Sequence, residues 1–330
     1  MERSNIRYII CLLGCFFVLT SPPAIRLMTN RTVTSLILFL ETGHTLRAPT
    51  SSQTPTSPQT EKPPVTAPPV TPDVPTTPEE LETGNTLAFS SSDAQLVQVN
   101  SYCGYDPDVP AWLTQPLCWN LRQTAPTVLI LHSHATEGYI NAEGVNHRTQ
   151  DTNENMVSVG DALAKELENA GIRVLHDRTL HDYPSYSDSY ENSRAAAKKY
   201  LEENPSISLI LDLHRDSVVD EAGNEVKYIL KTPKGVAAKM MFVVGTDAGG
   251  LVHSKWSENM SLAVKLHALL EKQNPGICRP ISFRTQRFNQ DLSTGALLVE
   301  MGAAGNSRQE ALLAAKFLAD AVIDLANGTA

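Results

Sequence analysis

Several chemistries have little support in this sequence. The chain has 330 residues and a formal net charge of −9, so it lacks the basic excess typical of nucleic-acid binding. Its five cysteines are too few for a disulfide-stabilised miniprotein, and none forms a C-x-x-C pair, which argues against a thiolate zinc site. The G-x-S-x-G motif of serine hydrolases and the glycine-rich motifs of nucleotide-binding proteins are also absent. The function must therefore be sought in other polar motifs.

An apolar segment near the N terminus predicts export. Arg3 and Arg7 precede an uncharged run from Tyr8 to Ile25, about 18 residues, which is just long enough to span a bilayer. A cleaved signal peptide has similar charged and apolar regions and is the alternative. No small-x-small cleavage site follows the run, which favours a single-pass anchor within residues 1–47. Both alternatives place the rest of the chain on the extracytoplasmic side.

A proline-rich segment follows in residues 48–84. Ten of the 21 prolines lie between Pro49 and Pro78, mixed with Thr, Ser, Val and Gln. Such a composition cannot bury enough apolar surface to offset the entropy lost on ordering. We therefore expect a disordered, extended linker here and a globular domain over residues 85–330.

From residue 127 onward, strand patterns alternate with helix patterns. Short β-branched runs predict strands, and apolar residues at helical spacing predict helices. The predicted strands are 128–131, 172–175, 207–213, 241–244 and 296–299, and the predicted helices are 156–167, 189–203, 258–272 and 309–325. This alternation predicts a layered α/β domain with a mixed, mostly parallel sheet flanked by helices.

Polar residues follow three of the predicted strands. The first strand leads into His132 and His134, another ends at His214, and the last ends at Glu300. In α/β sheets the chemistry gathers at the carboxyl ends of the strands, so we expect these side chains at one edge. Imidazoles and a carboxylate can hold zinc with one position open for water, and a further carboxylate can relay the water's proton. The pattern is typical of a zinc hydrolase.

The residues alone leave two positions open. Asp151 opens the first long helix and is the natural candidate for a third ligand, but an Asp at that position is also a common N-cap. At the first strand, His132 and His134 are both candidate ligands, because alternate residues of a strand point to one face.

Four motifs in this region resemble those of the stage II sporulation protein P family. The members of this family are exported peptidoglycan hydrolases of spore-forming Firmicutes. The motifs are VLILHSHATEGY (128–139), DTNENMVSVGDAL (151–163), LDLHRD (211–216) and RFNQDLSTGALLVEMG (287–302). The resemblance spans roughly residues 85–326, and an N-terminal anchor and variable linker also fit that family. The family is in turn similar to zinc-dependent N-acetylmuramoyl-L-alanine amidases.

The resemblance implies cleavage of the amide between N-acetylmuramic acid and the stem peptide, with cutting of peptide cross-links as an additional activity. It implies bound zinc (Zn²⁺) and makes Glu300 the catalytic acid and base. The implied ligands are two imidazoles and a carboxylate: His134, Asp151 and His214, with His132 as a further ligand or a support. Glu137, Arg215 and Asn289, from the same motifs, are candidates for substrate binding.

The resemblance also implies a cellular setting. Family members act at the septum and engulfing membrane during sporulation, with a lytic transglycosylase, stage II sporulation protein D, and a membrane protein, stage II sporulation protein M. The alternative function is a catalytically inactive homologue that binds the wall or tethers partners. The presence of Glu300 favours catalysis, because an inactive homologue could lose this residue without loss of folding.

Overall fold

A computed structural model describes the globular part of the chain, namely residues 89–90, 92–117, 120–141, 144–145 and 147–328. The predicted membrane anchor and the proline-rich linker lie outside these residues. Among the described residues, no helix is both long and apolar enough to cross a membrane.

Strands and helices alternate along the described residues, as the sequence pattern predicts. The strands are β1 (Val99–Ser101), β2 (Val128–Leu131), β3 (Ile140–Asn141), β4 (Gly144–Val145), β5 (Val174–His176), β6 (Leu209–Asp216), β7 (Ile229–Thr232), β8 (Gly235–Ala238), β9 (Met240–Val244), β10 (Ile281–Phe283) and β11 (Ala296–Ala303). The helices are α1 (Val109–Thr114), α2 (Met156–Asn169), α3 (Ser189–Glu203), α4 (Trp256–Gln273) and α5 (Arg308–Asn327).

A seven-stranded sheet in the order β1-β10-β9-β11-β6-β2-β5 forms the centre of the fold. Its neighbours pair in parallel except β9 and β11, which are antiparallel. Two small hairpins, β3-β4 and β7-β8, stand apart from it. The prediction of a mixed, mostly parallel sheet flanked by helices is confirmed.

Helices cover both faces of this sheet. In β2, Val128 and Ile130 belong to the larger apolar core, whereas Leu129 and Leu131 belong to a smaller core on the opposite face. This alternation follows from the two-residue period of a strand, and it makes β2 fully buried. Helices α2, α4 and α5 contribute to the larger core, and α3 contributes Ala197 to the smaller one.

The start of α2 contradicts one interpretation of the sequence. Asn155 is the N-cap of this helix, and its side-chain oxygen accepts a hydrogen bond of 3.0 Å from the backbone N–H of Val157. Asp151 lies one turn earlier in the loop that precedes the cap. The interpretation of Asp151 as the N-cap of this helix is therefore wrong.

Candidate active site

Three adjacent strands deliver polar residues to one edge of the sheet. Strands β2, β6 and β11 run in parallel, so their carboxyl ends lie on the same side. Glu300 of β11 is directly opposite His214 of β6 in the ladder. The loop after β2 carries His134 and Glu137 to the same edge, where both are buried.

Glu137, His134 and His214 form a compact group, which together with Glu300 we call the central cluster. Oε2 of Glu137 lies 3.6 Å from Nδ1 of His214. The rings of His134 and His214 are 5.2 Å apart between centroids and nearly perpendicular, at 89°. The three residues are 3–6% exposed. The structure thus brings together two nitrogen donors and one oxygen donor from two of the sequence motifs.

Carboxylates surround His214 with negative charge. Oδ1 of Asp212 lies 3.0 Å from its Nε2, on the opposite side of the ring from Glu137. Burial lowers the pKa of His214, but Asp212, Glu137 and Glu300 outweigh this effect and raise the pKa to about 10. Asp212 is itself held by the backbone N–H and the hydroxyl of Ser133, at 2.8 and 2.6 Å. The centre is therefore suited to a cation.

Backbone contacts position the Glu137 carboxylate. The backbone N–H of Glu137 donates to the carbonyl of His134. Oε2 of Glu137 accepts a 3.0 Å hydrogen bond from the backbone N–H of Arg215. The guanidinium of Arg215 in turn donates to the carbonyl of Gly138 at 2.8 Å. Arg215, predicted as a substrate-binding residue, is 5% exposed and here supports the loop that carries Glu137.

Glu300 differs from Glu137, the other acid of the central cluster, in its hydrogen bonding, although burial raises the pKa of both carboxyl groups. Among the described residues, its Oε2 has no hydrogen-bond partner. Burial raises the pKa of Glu300 to about 8, with further contributions from the negative charges of Asp216 and Glu137. A carboxyl group with a pKa near the working pH can both accept and donate a proton, which is what general acid–base catalysis needs.

Two tyrosines hold His134 in place. The Tyr186 ring stacks on His134 at 4.4 Å, and Tyr190 contacts it edge-on at 5.3 Å. The Arg148 guanidinium lies 4.0 Å above the other face of Tyr186 and donates to Asp182 at 2.7 Å. Tyr186, Tyr190 and Arg148 were not predicted from the sequence, although the tyrosine-rich stretch 183–190 was a signal for the two tyrosines.

His132 lies outside the central cluster, beneath α2. Its Nε2 is 2.8 Å from Nε2 of His176, and its Nδ1 is 3.1 Å from the carbonyl oxygen of Leu213. Both ring nitrogens are therefore engaged by the protein. Burial, reinforced by the charge on His176, lowers the pKa of His132 to about 3, so the ring is neutral. Of the two histidines that competed in the sequence, the structure brings His134 to His214.

Asp151 and Asn289 are engaged elsewhere. Asp151 is exposed, and its Oδ1 accepts hydrogen bonds from the backbone and side-chain amides of Asn153, at 2.9 and 3.0 Å. Asn289 has a left-handed backbone, with φ of 59°, and its Nδ2 donates to the carbonyl of Tyr190 at 2.8 Å. These contacts tie Asp151 to its own turn and Asn289 to the start of α3.

Comparisons with known proteins agree with the motif pattern. The family model for stage II sporulation protein P matches residues 47–323. The stage II sporulation protein P of Bacillus subtilis (strain 168) is 32% identical over 210 residues, which cover 58% of this chain and 49% of that protein. The chain thus matches about half the length of this relative.

Solved structures of two amidases also match. An N-acetylmuramoyl-L-alanine amidase from Clostridium difficile 630 has 15% identity and a TM-score of 0.37, covering 61% of this chain and 95% of that one. The catalytic domain of CwlV, an N-acetylmuramoyl-L-alanine amidase from Bacillus (Paenibacillus) polymyxa var. colistinus, has 12% identity and a TM-score of 0.36, covering 61% and 98%. Because the family model spans most of the sequence, including all four motifs, this chain belongs to the stage II sporulation protein P family.

Proposed function

We propose that this chain is a metal-dependent peptidoglycan hydrolase that cleaves the amide between N-acetylmuramic acid and the stem peptide. The observation that carries the proposal is the convergence of His134, Glu137, His214 and Glu300 at one edge of the sheet. Membership of the sporulation family supports the cell-wall substrate.

The donor set of the central cluster fits zinc. Two imidazoles and one carboxylate are a common ligand set for catalytic zinc, and they leave one coordination position open. In the proposal Glu137 takes the place predicted for Asp151, because Glu137 lies 3.6 Å from His214 whereas the side chain of Asp151 is bonded within its own turn. When bound, zinc would lower the pKa of a water molecule and polarise the amide carbonyl.

The residues around the ligands keep them in place. Asp212 fixes the ring of His214, as carboxylates that contact metal-bound histidines do. Tyr186 and Tyr190 restrict His134 from two sides, and Arg215 restricts Glu137 through its backbone N–H. Such support holds a site close to its productive geometry before substrate arrives.

Glu300 moves the proton in the proposed reaction. Its Oε2 would accept a proton from the attacking water as the water oxygen bonds to the amide carbon. The C–N bond then breaks, and Glu300 would return the proton to the departing nitrogen. The products are a muramic acid with a free lactyl carboxylate and a peptide with a free amino terminus.

We place this activity in the setting that the family implies. The chain would be anchored in the cell membrane with its hydrolase domain on the extracytoplasmic side, and it would thin the septal wall during engulfment. Its partners would be proteins related to stage II sporulation proteins D and M. Cleavage of peptide cross-links would be an additional activity.

Digestion of purified peptidoglycan by the full-length chain tests the proposal. Mass spectrometry should detect stem peptides with a free N-terminal alanine, and removal of metal should abolish their release. His214→Ala should be inactive, whereas His147→Ala, at an exposed histidine, should retain activity. The amidase assignment is wrong if the metal-loaded chain releases no such peptides, which is the result expected of an inactive scaffold.

A further inference from the structure

A second group of metal-ligand side chains lies at the end of α4. His267 and Glu271 are on this helix, and Cys278 follows in the connection to β10. One ligand atom from each residue lies within 4.8 Å of those of the other two. In the sheet, β10 is separated from β6 by β9 and β11, so this group is distinct from the central cluster. We call it the α4 cluster.

Local structure explains why these three residues meet. His267 and Glu271 are four residues apart, which puts them on the same side of a helix. The carboxylate of Glu271 accepts hydrogen bonds of 2.7 Å from the backbone N–H groups of Gly276 and Cys278. A positive φ of 88° at Gly276 allows the chain to turn back there. The turn thus brings Cys278 back beside the end of α4.

His267 presents an available nitrogen donor. The residue is 2% exposed, and among the described residues its Nδ1 has no hydrogen-bond partner. Burial lowers the pKa of His267 to about 4, partly opposed by a backbone hydrogen bond with Leu96, so the ring is neutral at pH 7. Metal-bound histidines commonly donate one ring N–H to a backbone carbonyl or another protein group and use the other ring nitrogen to bind the metal.

Glu271 and Cys278 retain the capacity to bind a metal. Each carboxylate oxygen of Glu271 accepts one backbone hydrogen bond and has a further lone pair. Burial and the neighbouring Glu271 raise the pKa of the Cys278 thiol well above its usual value, so this thiol is protonated when no metal is bound. Metal binding would therefore release one proton, as the S–H bond is replaced by a bond from sulfur to the metal.

We propose that His267, Glu271 and Cys278 form a second zinc site, which fastens the end of α4 to the start of β10. Nitrogen, sulfur and carboxylate oxygen are all established zinc ligands, and water would complete the four-coordinate shell. The thiolate makes the site chemically different from the central cluster, which offers only nitrogen and oxygen. Because the site stands on its own residues, it does not depend on the proposed hydrolase activity.

Cobalt(II) titration of the full-length chain separates the two sites. Cobalt bound to a thiolate gives a charge-transfer absorption in the near ultraviolet that nitrogen and oxygen ligands do not produce. We expect this absorption in the parent chain, its loss in Cys278→Ser, and its retention in Cys103→Ser, since Cys103 is also a half-buried free thiol. It should also persist in His214→Ala, where the central cluster is disrupted. Absence of the band in the parent, or its persistence in Cys278→Ser, overturns the proposal.

A second measurement needs no variant at Cys278. At alkaline pH, where the metal-free Cys278 thiol ionises and reacts, saturating zinc should protect this thiol from alkylation, mapped by mass spectrometry, and leave the labelling of Cys103 unchanged. Equal labelling of Cys278 with and without zinc would overturn the site even if Cys278→Ser fails to fold.

Discussion

The carboxylate of Glu137 lies 3.6 Å from Nδ1 of His214 and is held there by the backbone N–H of Arg215. This contact joins the loop after β2 to the end of β6. It places a carboxylate ligand candidate beside an imidazole without any contribution from the segment that leads into α2, where the sequence predicted that ligand at Asp151.

Glu137→Gln should weaken metal binding at the central cluster. Loss of a direct anionic ligand should lower metal affinity by more than the roughly 10- to 100-fold lost when a residue that only supports a ligand is removed. The matched variant Asp151→Asn should leave affinity unchanged, because Asp151 is exposed and bonded to Asn153. Competition for metal with a chelator of known affinity measures the metal affinity of both variants. The opposite ranking would restore Asp151 as the ligand.

Glu300→Gln should separate binding from chemistry. Glutamine keeps the shape of the side chain but cannot accept a proton at neutral pH. Turnover should fall by about 10² to 10⁴-fold, or roughly 3 to 5 kcal/mol, while metal content and Tm hardly change. Glu203→Gln, an exposed site on α3, serves as the control. Parent-level release of stem peptide by Glu300→Gln would disprove the catalytic assignment, and loss of metal would make Glu300 a ligand.

Gly160→Ala should destabilise the protein, although alanine is the better helix former. Helix propensity alone predicts a gain of about 1 kcal/mol. A Cβ at this position, however, would lie 2.5 Å from Nε2 of His176 and 2.6 Å from Nε2 of His132. Overpacking of this kind typically costs about 1 to 3 kcal/mol, so we expect a net loss in urea unfolding.

The double variant Gly160→Ala/His176→Ala isolates the cause. If the clash with the His176 ring is responsible, the cost of Gly160→Ala should be smaller in the His176→Ala background. A stabilised Gly160→Ala protein would mean that the two histidine rings move aside freely.

Asp177→Asn should lose stability in a pH-dependent way. Oδ2 of Asp177 lies 2.9 Å from Nε2 of His181. Burial alone would raise the pKa of Asp177, but hydrogen bonds from His181 and Thr179 outweigh it and lower the pKa to about 2. Since the folded state has the lower pKa, this stabilisation is present above the unfolded value of about 3.9 and is lost as pH falls towards 2.

At pH 7 we expect Asp177→Asn to be about 1 to 2 kcal/mol less stable than the parent, after allowance for solvent screening. The difference should shrink below pH 4. Urea unfolding of both proteins across the range measures it, and a difference that stays constant down to pH 2 would contradict the coupling.

The sequence predicts the long elements well because their patterns are repeated several times. The predicted helix 189–203 coincides with α3, and the predicted helix 309–325 lies within α5. The strands β1 (VNS) and β10 (ISF) were missed, since neither shows the run of aliphatic residues that marked the equally short β5. The anchor and linker lie outside the described residues and stay predictions.

The site was harder to predict because its decisive residues lie where a strand has just ended. The comparison of His132 with His134 assumed that the strand continues, but β2 ends at Leu131 and the next residues form turns. The two-residue period therefore does not apply there. A turn, closed by the hydrogen bond from the backbone N–H of Glu137 to the carbonyl of His134, brings these two residues to the same edge of the sheet. Sequence spacing alone does not reveal such a turn.

The direct pairing of Glu300 with His214 in the β11–β6 ladder has a consequence for how the central cluster comes apart on heating. Both residues are carried by a hydrogen-bonded backbone in the middle of the sheet, so they cannot move apart while the ladder is intact. Amides of neighbouring β6 and β11 residues should be among the slowest to exchange with deuterium. Separation of Glu300 from His214 on heating should then follow the melting of the whole domain rather than the fraying of a loop.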